Sequence, residues 1–299
     1  MPTSNWPALP RAAWQDTYAT LHMYTQVIGK MRLAWCAPEN QFWHVPFYLT
    51  VRGLTTSPMP YGDRTIEIDF DFIDHALVIR ASDGRNRSLP LIPRTVAEFY
   101  DGVCSLLGQL DVAVKIWDHP VEIPNPIPFS ADTQHCSYDA DSARRFFEVL
   151  RRVDVVFKQY RGTFSGKSSP VHFFWGSFDL AVTRFSGRAA PPRPDADYIT
   201  RLSYNEEVMS LGFWPGTGDV DAAFYAYAAP EPAGFADEKF APAAAYYHKG
   251  FKELILPYEA VRASADPARE ILTFADSAYA AAARLAKWDR AALERTIPA

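Results

Sequence analysis

The chain has 299 residues, of which 48% are hydrophobic and 22% charged, and its formal net charge is −5. This is an ordinary globular composition with enough apolar material for a substantial core. The negative charge argues against broad attraction to nucleic acid or an anionic membrane, although it does not exclude a local basic groove. The absence of any run of 18 apolar residues predicts no transmembrane helix.

Cysteine usage and the N-terminal sequence predict the compartment. The three cysteines have no CxxC spacing, and the first residues, "MPTSNWPALPRAAW", lack the basic-then-apolar layout of a secretion signal. An odd cysteine count without a signal fits a reducing compartment. We therefore expect a soluble, cytoplasmic protein.

The first half of the chain predicts a helix, then strands, then a helix. Apolar residues recur at three- and four-residue steps over 11–34, which predicts a helix. Residues 42–53, "FWHVPFYLTVRG", alternate apolar and polar side chains and predict a strand, and a second alternation follows in "RTIEIDFDF". Residues 94–110 predict a helix that Thr95 and Glu98 begin with a capping box.

The second half follows a proline-rich passage, "HPVEIPNPIPFSADTQHCSY", which we interpret as a connection. Residues 139–161 and 266–288 predict two more long helices. Between them, "AAFYAYAAP" and the segment 169–188 are expected to supply strands.

The predicted fold class is α+β, with mostly antiparallel sheet flanked by long helices. The chain divides into an N-terminal half at 1–118, the connection at 119–138 and a C-terminal half at 139–299. The two halves either pack as one domain or meet at a cleft. Because "FYLTV" and "FDLAV" share a pattern, a duplicated helix–strands–helix unit stays open.

One face of the predicted first hairpin collects polar residues. If its two strands pair with matched polar faces, His44 becomes a diagonal neighbour of Asp71, and Tyr48 and Arg52 lie on the same face. The acidic residues on this face repel one another unless a cation or a proton compensates, and such repulsion shifts pKa values towards acid–base use. The alternative is a face that simply contacts solvent.

The segment "SPVHFFWGSFDLAVTRFSGR", 169–188, is either a straight strand or a hairpin. A straight strand places His172 and Asp179 on opposite faces. A hairpin with a type II′ turn at Gly176 and Ser177 makes them diagonal neighbours on one face. An imidazole–carboxylate contact would then set the histidine tautomer for a general base or a metal ligand, and the alternative is a buried structural pair.

Several phrases resemble an uncharacterised bacterial family, domain of unknown function 5996. They are "WPALPRAAWQDTYATLHMYTQVIGKMRLA", "WHVPFYLTVRGLTTSPMPYGDRTIEIDFDFIDH", "VEIPNPIPF" and the 169–188 segment itself. The resemblance runs from about residue 6 to 294 and implies a bacterial, cytoplasmic protein. It implies no activity, cofactor or catalytic residue.

The leading functional hypothesis is an enzyme that acts on a small polar or anionic molecule in a cleft between the halves, by His/Asp acid–base or metal-assisted chemistry. The first alternative is a non-catalytic binding module with an aromatic-lined pocket, and the second is a protein-interaction component. Neither a cofactor, a metal nor an oligomeric state is assigned. The candidate catalytic residues are His44, Asp71, His172 and Asp179, and the candidate substrate-binding residues are Tyr48, Arg52, Trp175, Arg184 and Trp214.

Overall fold

The computed structural model describes residues 6–217 and 220–295. Within this part of the chain, seven α-helices flank two antiparallel sheets of six strands each, which confirms the α+β class. The helices are α1 (Gln15–Trp35), α2 (Val96–Gly108), α3 (Ala140–Gly162), α4 (Tyr198–Ser203), α5 (Tyr258–Ala263), α6 (Pro267–Leu285) and α7 (Arg290–Leu293). None of the helices in the described ranges is long and apolar enough to cross a membrane.

The two sheets follow one another along the chain. The first has the order β1-β2-β4-β5-β6, with β3 paired to β4, and the second has the order β11-β12-β10-β9-β8-β7. The strands are β1 (Tyr48–Leu49), β2 (Gly53–Thr55), β3 (Met59–Tyr61), β4 (Arg64–Asp71), β5 (Ala76–Ala81), β6 (Asn86–Pro90), β7 (His172–Phe174), β8 (Asp179–Ala189), β9 (Glu206–Thr217), β10 (Val220–Ala229), β11 (Tyr246–His248) and β12 (Glu253–Pro257).

A backbone bridge joins the edges of the two sheets. The N–H groups of Phe47 and Phe173 each donate to the other residue's carbonyl oxygen at 2.8 Å. One hydrophobic core then runs through both halves of the chain, since it contains Leu54 and Phe70 from the first sheet and Leu180 and Phe224 from the second. The two halves therefore share their interior.

Helix α1 lies at the centre of this core and is buried along most of its length. Its polar side chains bind loops. The Gln26 side chain donates to the carbonyl of Val121 and accepts from its N–H, both at 2.8 Å, and His22 Nε2 lies 2.8 Å from the carbonyl oxygen of Gly176. Since buried polar groups require partners, these contacts fix two loops on one side of the second sheet.

The helix ends follow the predicted capping chemistry. Thr95 and Glu98 form the expected capping box at the start of α2. The side chain of Asp139 accepts the N–H of Ser142 at 2.7 Å and begins α3.

The predicted pairing of the first hairpin is wrong. Residues before Tyr48 are not part of a regular strand, and β2 pairs with β4 so that Gly53 lies opposite Asp71. The reason is local. Pro46 has no N–H for a ladder, and Thr50 turns the chain by accepting the N–H groups of Arg52 and Gly53 on its hydroxyl.

Candidate ligand-binding cavity

The 169–188 segment bends into a hairpin. His172 lies opposite Ala181 and Phe174 opposite Asp179, as the hairpin alternative predicts. The turn is not type II′, because Gly176 lacks the required positive φ and Phe178 takes a φ of 59° instead.

Contacts outside the hairpin set the shape of its turn. The Trp175 indole donates to the carbonyl of Val45 at 2.8 Å, and α1 binds the carbonyl of Gly176. The turn therefore spans four residues that the surrounding structure fixes.

One row of residues crosses four strands of the second sheet and forms a floor. His172 lies opposite Ala181, Ala181 opposite Gly212, and Gly212 opposite Tyr225. Ala181 is small and lines the open space above the floor. The Tyr225 ring lies across Gly212, where a Cβ would overlap it, and its hydroxyl donates to Asp179.

A cavity of about 370 Å³ lies above this floor, and we call it the inner chamber. The loop at 41–45, the turn at 175–178 and α4 enclose it. Eight aromatic side chains line it: Phe42, Trp43, Phe174, Trp175, Phe185, Tyr204, Tyr225 and Tyr227. Its only charged lining residues are Glu122 and Asp179 among those the structure describes, so it has two carboxylates and neither lysine nor arginine.

A second cavity of about 1180 Å³, the outer chamber, adjoins the first. Both chambers are lined by Asp179, Glu122 and the three tyrosines 204, 225 and 227, so they meet at Asp179. The outer chamber adds the half-buried Glu253 to this acidic group, and its wall also carries the half-buried Arg193 and the exposed Lys249 and Lys252.

The carboxylates at this junction lack cationic partners. Asp179 is 3% exposed and accepts hydrogen bonds from Ser177 Oγ, at 2.6 Å, and from the Tyr225 hydroxyl. Burial raises the pKa of Asp179, and burial together with the Asp179 charge raises the pKa of Glu253 to about 7. Burial and the Asp179 charge raise the pKa of Glu122 in the same way. In residues 6–217 and 220–295, none of the three forms an ion pair.

His172 lies at the buried end of the inner chamber and is 1% exposed. Its Nδ1 is buried without a hydrogen-bond partner, and no described group bonds its Nε2. Burial, and secondarily the Arg32 charge, lowers the pKa of His172 to about 3, so the ring is neutral at physiological pH. His172 and Asp179 thus share the chamber, but they do not form the predicted imidazole–carboxylate bond.

Hydroxyl groups provide a polar strip along one wall of the inner chamber. Thr183 Oγ1 and Ser210 Oγ lie 3.0 Å apart, and the hydroxyls of Tyr204 and Tyr227 lie 2.8 Å apart. Ser210 lies opposite Tyr227 on the neighbouring strand, so the two pairs adjoin.

The predicted His44–Asp71 pair does not form. His44 is buried, and its Nδ1 accepts the N–H of Glu39 at 3.1 Å. Asp71 ends β4, forms an ion pair with Arg52 at 2.5 Å and accepts the N–H of Asp74 at 2.9 Å. His44 and Asp71 are separated because β2 pairs with β4 in a register that places Gly53 opposite Asp71. Both residues instead stabilise local structure.

The other predicted ligand contacts divide between the two faces of the second sheet. Trp175 lines the inner chamber and Trp214 the outer chamber. Arg184 points to the opposite face, where its guanidinium is stacked 3.4 Å from the Tyr160 ring centroid, and it is 2% exposed. Tyr48 lies beside His172, with ring centroids 6.2 Å apart, but outside the chamber lining.

Sequence reasoning missed Glu122, Glu253, Tyr204 and Tyr227. The alternation in "AFYAYAAP" does place Tyr227 on the same face as Tyr225, so the pattern carried a signal for it. Glu122 lies in the proline-rich connection, and nothing local in the sequence separates it from other loop carboxylates.

A family model described as a family of unknown function, DUF5996, matches residues 6–295, and the chain belongs to this family. This confirms the resemblance found in the sequence. No curated protein and no solved structure matches the chain. No group of three or more His, Cys, Asp or Glu side chains in the described ranges is placed to hold a metal ion.

Proposed function

We propose that this member of the DUF5996 family binds a small organic cation. The ammonium nitrogen would lie at the junction of the two chambers beside Asp179, and an apolar body would occupy the inner chamber. The observation that carries the proposal is the lining of the inner chamber, which combines aromatic rings and two carboxylates with neither lysine nor arginine among the residues that the structure describes.

Electrostatics favours a cation at this point. A buried carboxylate without a cationic partner is unfavourable, so its pKa rises until a proton or another positive charge compensates it. A bound ammonium would supply that charge to Asp179, and the faces of Tyr225 and Tyr227 would add cation–π attraction. The inner chamber also has the volume of known small-molecule sites, roughly 300–1,000 Å³.

An anionic ligand is not favoured in the inner chamber. The arginines expected to bind it, Arg52 and Arg184, lie outside both chambers. The cations that line a chamber, the half-buried Arg193 and the exposed Lys249 and Lys252, belong to the outer chamber among the residues that the structure describes. An anion next to Asp179 and Glu122 would meet like charges.

A catalytic role for His172 and Asp179 stays a prediction, because the two residues share the chamber without bonding to each other. A bacterial cytoplasmic setting is likewise part of the proposal, supported by the family resemblance and by three free cysteines.

The test compares ligands that differ in charge. 2-Phenylethylamine and 3-phenylpropanoate have similar shape and opposite charge, and each is titrated calorimetrically into the protein near neutral pH. We expect the amine to bind with a dissociation constant at or below about 1 mM, and the carboxylate at least tenfold more weakly. Asp179→Asn should weaken amine binding at least tenfold.

A matched control separates the site from general charge. Asp101→Asn removes one carboxylate from the exposed face of α2, and it should leave the amine affinity unchanged. Circular dichroism of each variant checks that the fold is retained. Equal or tighter binding of 3-phenylpropanoate, or no amine binding at all, would overturn the proposal.

A further inference from the structure

We infer that His172 determines ligand specificity by binding an uncharged polar group at the buried end of the inner chamber. The inference rests on the proposed function and narrows it: the ligand is an amine whose far end carries a hydroxyl or a similar neutral group. The observation behind it is that His172 is almost fully buried, lines the cavity and lacks a hydrogen-bond partner among the described residues.

Buried polar side chains in proteins nearly always have partners, and an unpartnered one requires an explanation. Other buried histidines here follow the rule. His22 bonds the carbonyl of Gly176, and His44 accepts the N–H of Glu39. His172 differs because the rings of Tyr48 and Phe174, the nearby charge of Arg32 and the space of the chamber surround it, and none of these bonds its nitrogens in the described part of the chain.

The chemistry of the ring selects the kind of group that it binds. A neutral imidazole has one donor nitrogen and one acceptor nitrogen. A hydroxyl can both donate and accept, so it suits either tautomer of His172. A second cation would gain no charge attraction at the His172 end. The two carboxylates of the chamber lining, Glu122 and Asp179, lie at the junction with the outer chamber.

The geometry sets the length of the ligand. His172 and Asp179 are diagonal neighbours across the hairpin, which corresponds to a Cα separation of about 7–8 Å. Beside them the floor consists of Ala181, whose small side chain lines the chamber, and of the Tyr225 ring, which covers Gly212, so a flat ring can lie above this surface. A phenylethylamine with a para hydroxyl has an ammonium group at one end of such a ring and a hydroxyl at the other, so the first can lie beside Asp179 and the second beside His172.

The test uses tyramine and 2-phenylethylamine, which differ only in that hydroxyl, and 4-methylphenylethylamine, in which a methyl group replaces it. We expect the protein to bind tyramine about 10- to 100-fold more tightly than either of the others, since a buried site built to bond a hydroxyl rejects analogues that lack it. His172→Phe should bind all three amines with similar affinity. His172→Gln keeps an amide that can bond a hydroxyl, and it should retain part of the preference.

The outcomes separate the two proposals. If the amines bind with no preference for tyramine, or if His172→Phe keeps the preference, the role of His172 is overturned and the cation site stands. If no amine binds the wild-type chain, both proposals fall. If His172→Phe does not fold, the wild type and His172→Gln still decide the matter, because equal wild-type affinities for tyramine and 4-methylphenylethylamine, or an undiminished preference in the Gln variant, would contradict the role of His172.

Discussion

Replacing Glu253 by glutamine should stabilise the protein, and the gain should grow with pH. Glu253 is half-buried beside the tyrosines of the outer chamber, and burial with the nearby Asp179 charge raises its pKa from 4.5 to about 7. In the folded protein the side chain therefore keeps a proton that the unfolded chain has lost. Folding stability then falls as pH rises from 4.5 to about 7, and the loss is complete above that range.

The size of the effect follows from the two pKa values. Each pKa unit corresponds to about 1.4 kcal/mol, so the ionised Glu253 costs up to about 3 kcal/mol of unfolding free energy above pH 7. Glutamine has the same shape without the charge. We expect Glu253→Gln to unfold with nearly the wild-type free energy at about pH 4.5, and to be more stable by up to about 3 kcal/mol at about pH 8.

Urea unfolding of both proteins at the two pH values measures this difference, and subtraction removes the contributions of every other titrating group. Glu259→Gln is the control. Glu259 is exposed on α5 and bonds Arg262, which lowers its pKa, so its replacement should give no gain at high pH. A Glu253→Gln variant that is no more stable than wild type at about pH 8, or whose gain does not change with pH, would refute the reasoning.

Three further changes test the two faces of the second sheet. Gly212→Ala places a methyl group inside the volume of the Tyr225 ring, so we expect a loss of about 1–3 kcal/mol in urea unfolding; unchanged stability would show that the ring moves freely. Tyr225→Phe keeps the ring and removes the hydroxyl that donates to Asp179. The amine affinity, measured by titration at about pH 7, should therefore fall about tenfold and recover partly at higher pH. A loss of affinity that does not depend on pH would contradict this. Arg184→Met removes a buried cation stacked on Tyr160 on the opposite face, so it should change unfolding free energy by about 1–3 kcal/mol while the amine affinity stays at the wild-type value.

Local periodicity predicted the parts of the fold that depend on neighbouring residues. The long helices, the capping box at Thr95 and the pairing of His172 with Ala181 all follow from patterns within about 20 residues. The hairpin register was predictable because its strands are joined by four residues, which leaves few ways to pair them.

The remainder of the site depends on contacts between distant segments. Glu253 and Asp179 come near one another through the register of β8, β9, β10 and β12, which no local pattern specifies. His44 was misplaced for a related reason. The alternation in its segment is typical of a strand, but Pro46 and the tight turn at Thr50 prevent the long pairing that the alternation predicted.

The position of the Tyr225 ring over Gly212 also constrains which sequences can share this site. The ring occupies the volume that a side chain at 212 would need, so the two positions are coupled across the strands. A relative that keeps tyrosine at 225 is expected to keep glycine at 212, whereas a relative with a small residue at 225 is free to carry other residues at 212. Covariation of these two positions in an alignment would therefore mark the family members that retain the acidic junction, and its loss would mark those in which the junction has changed.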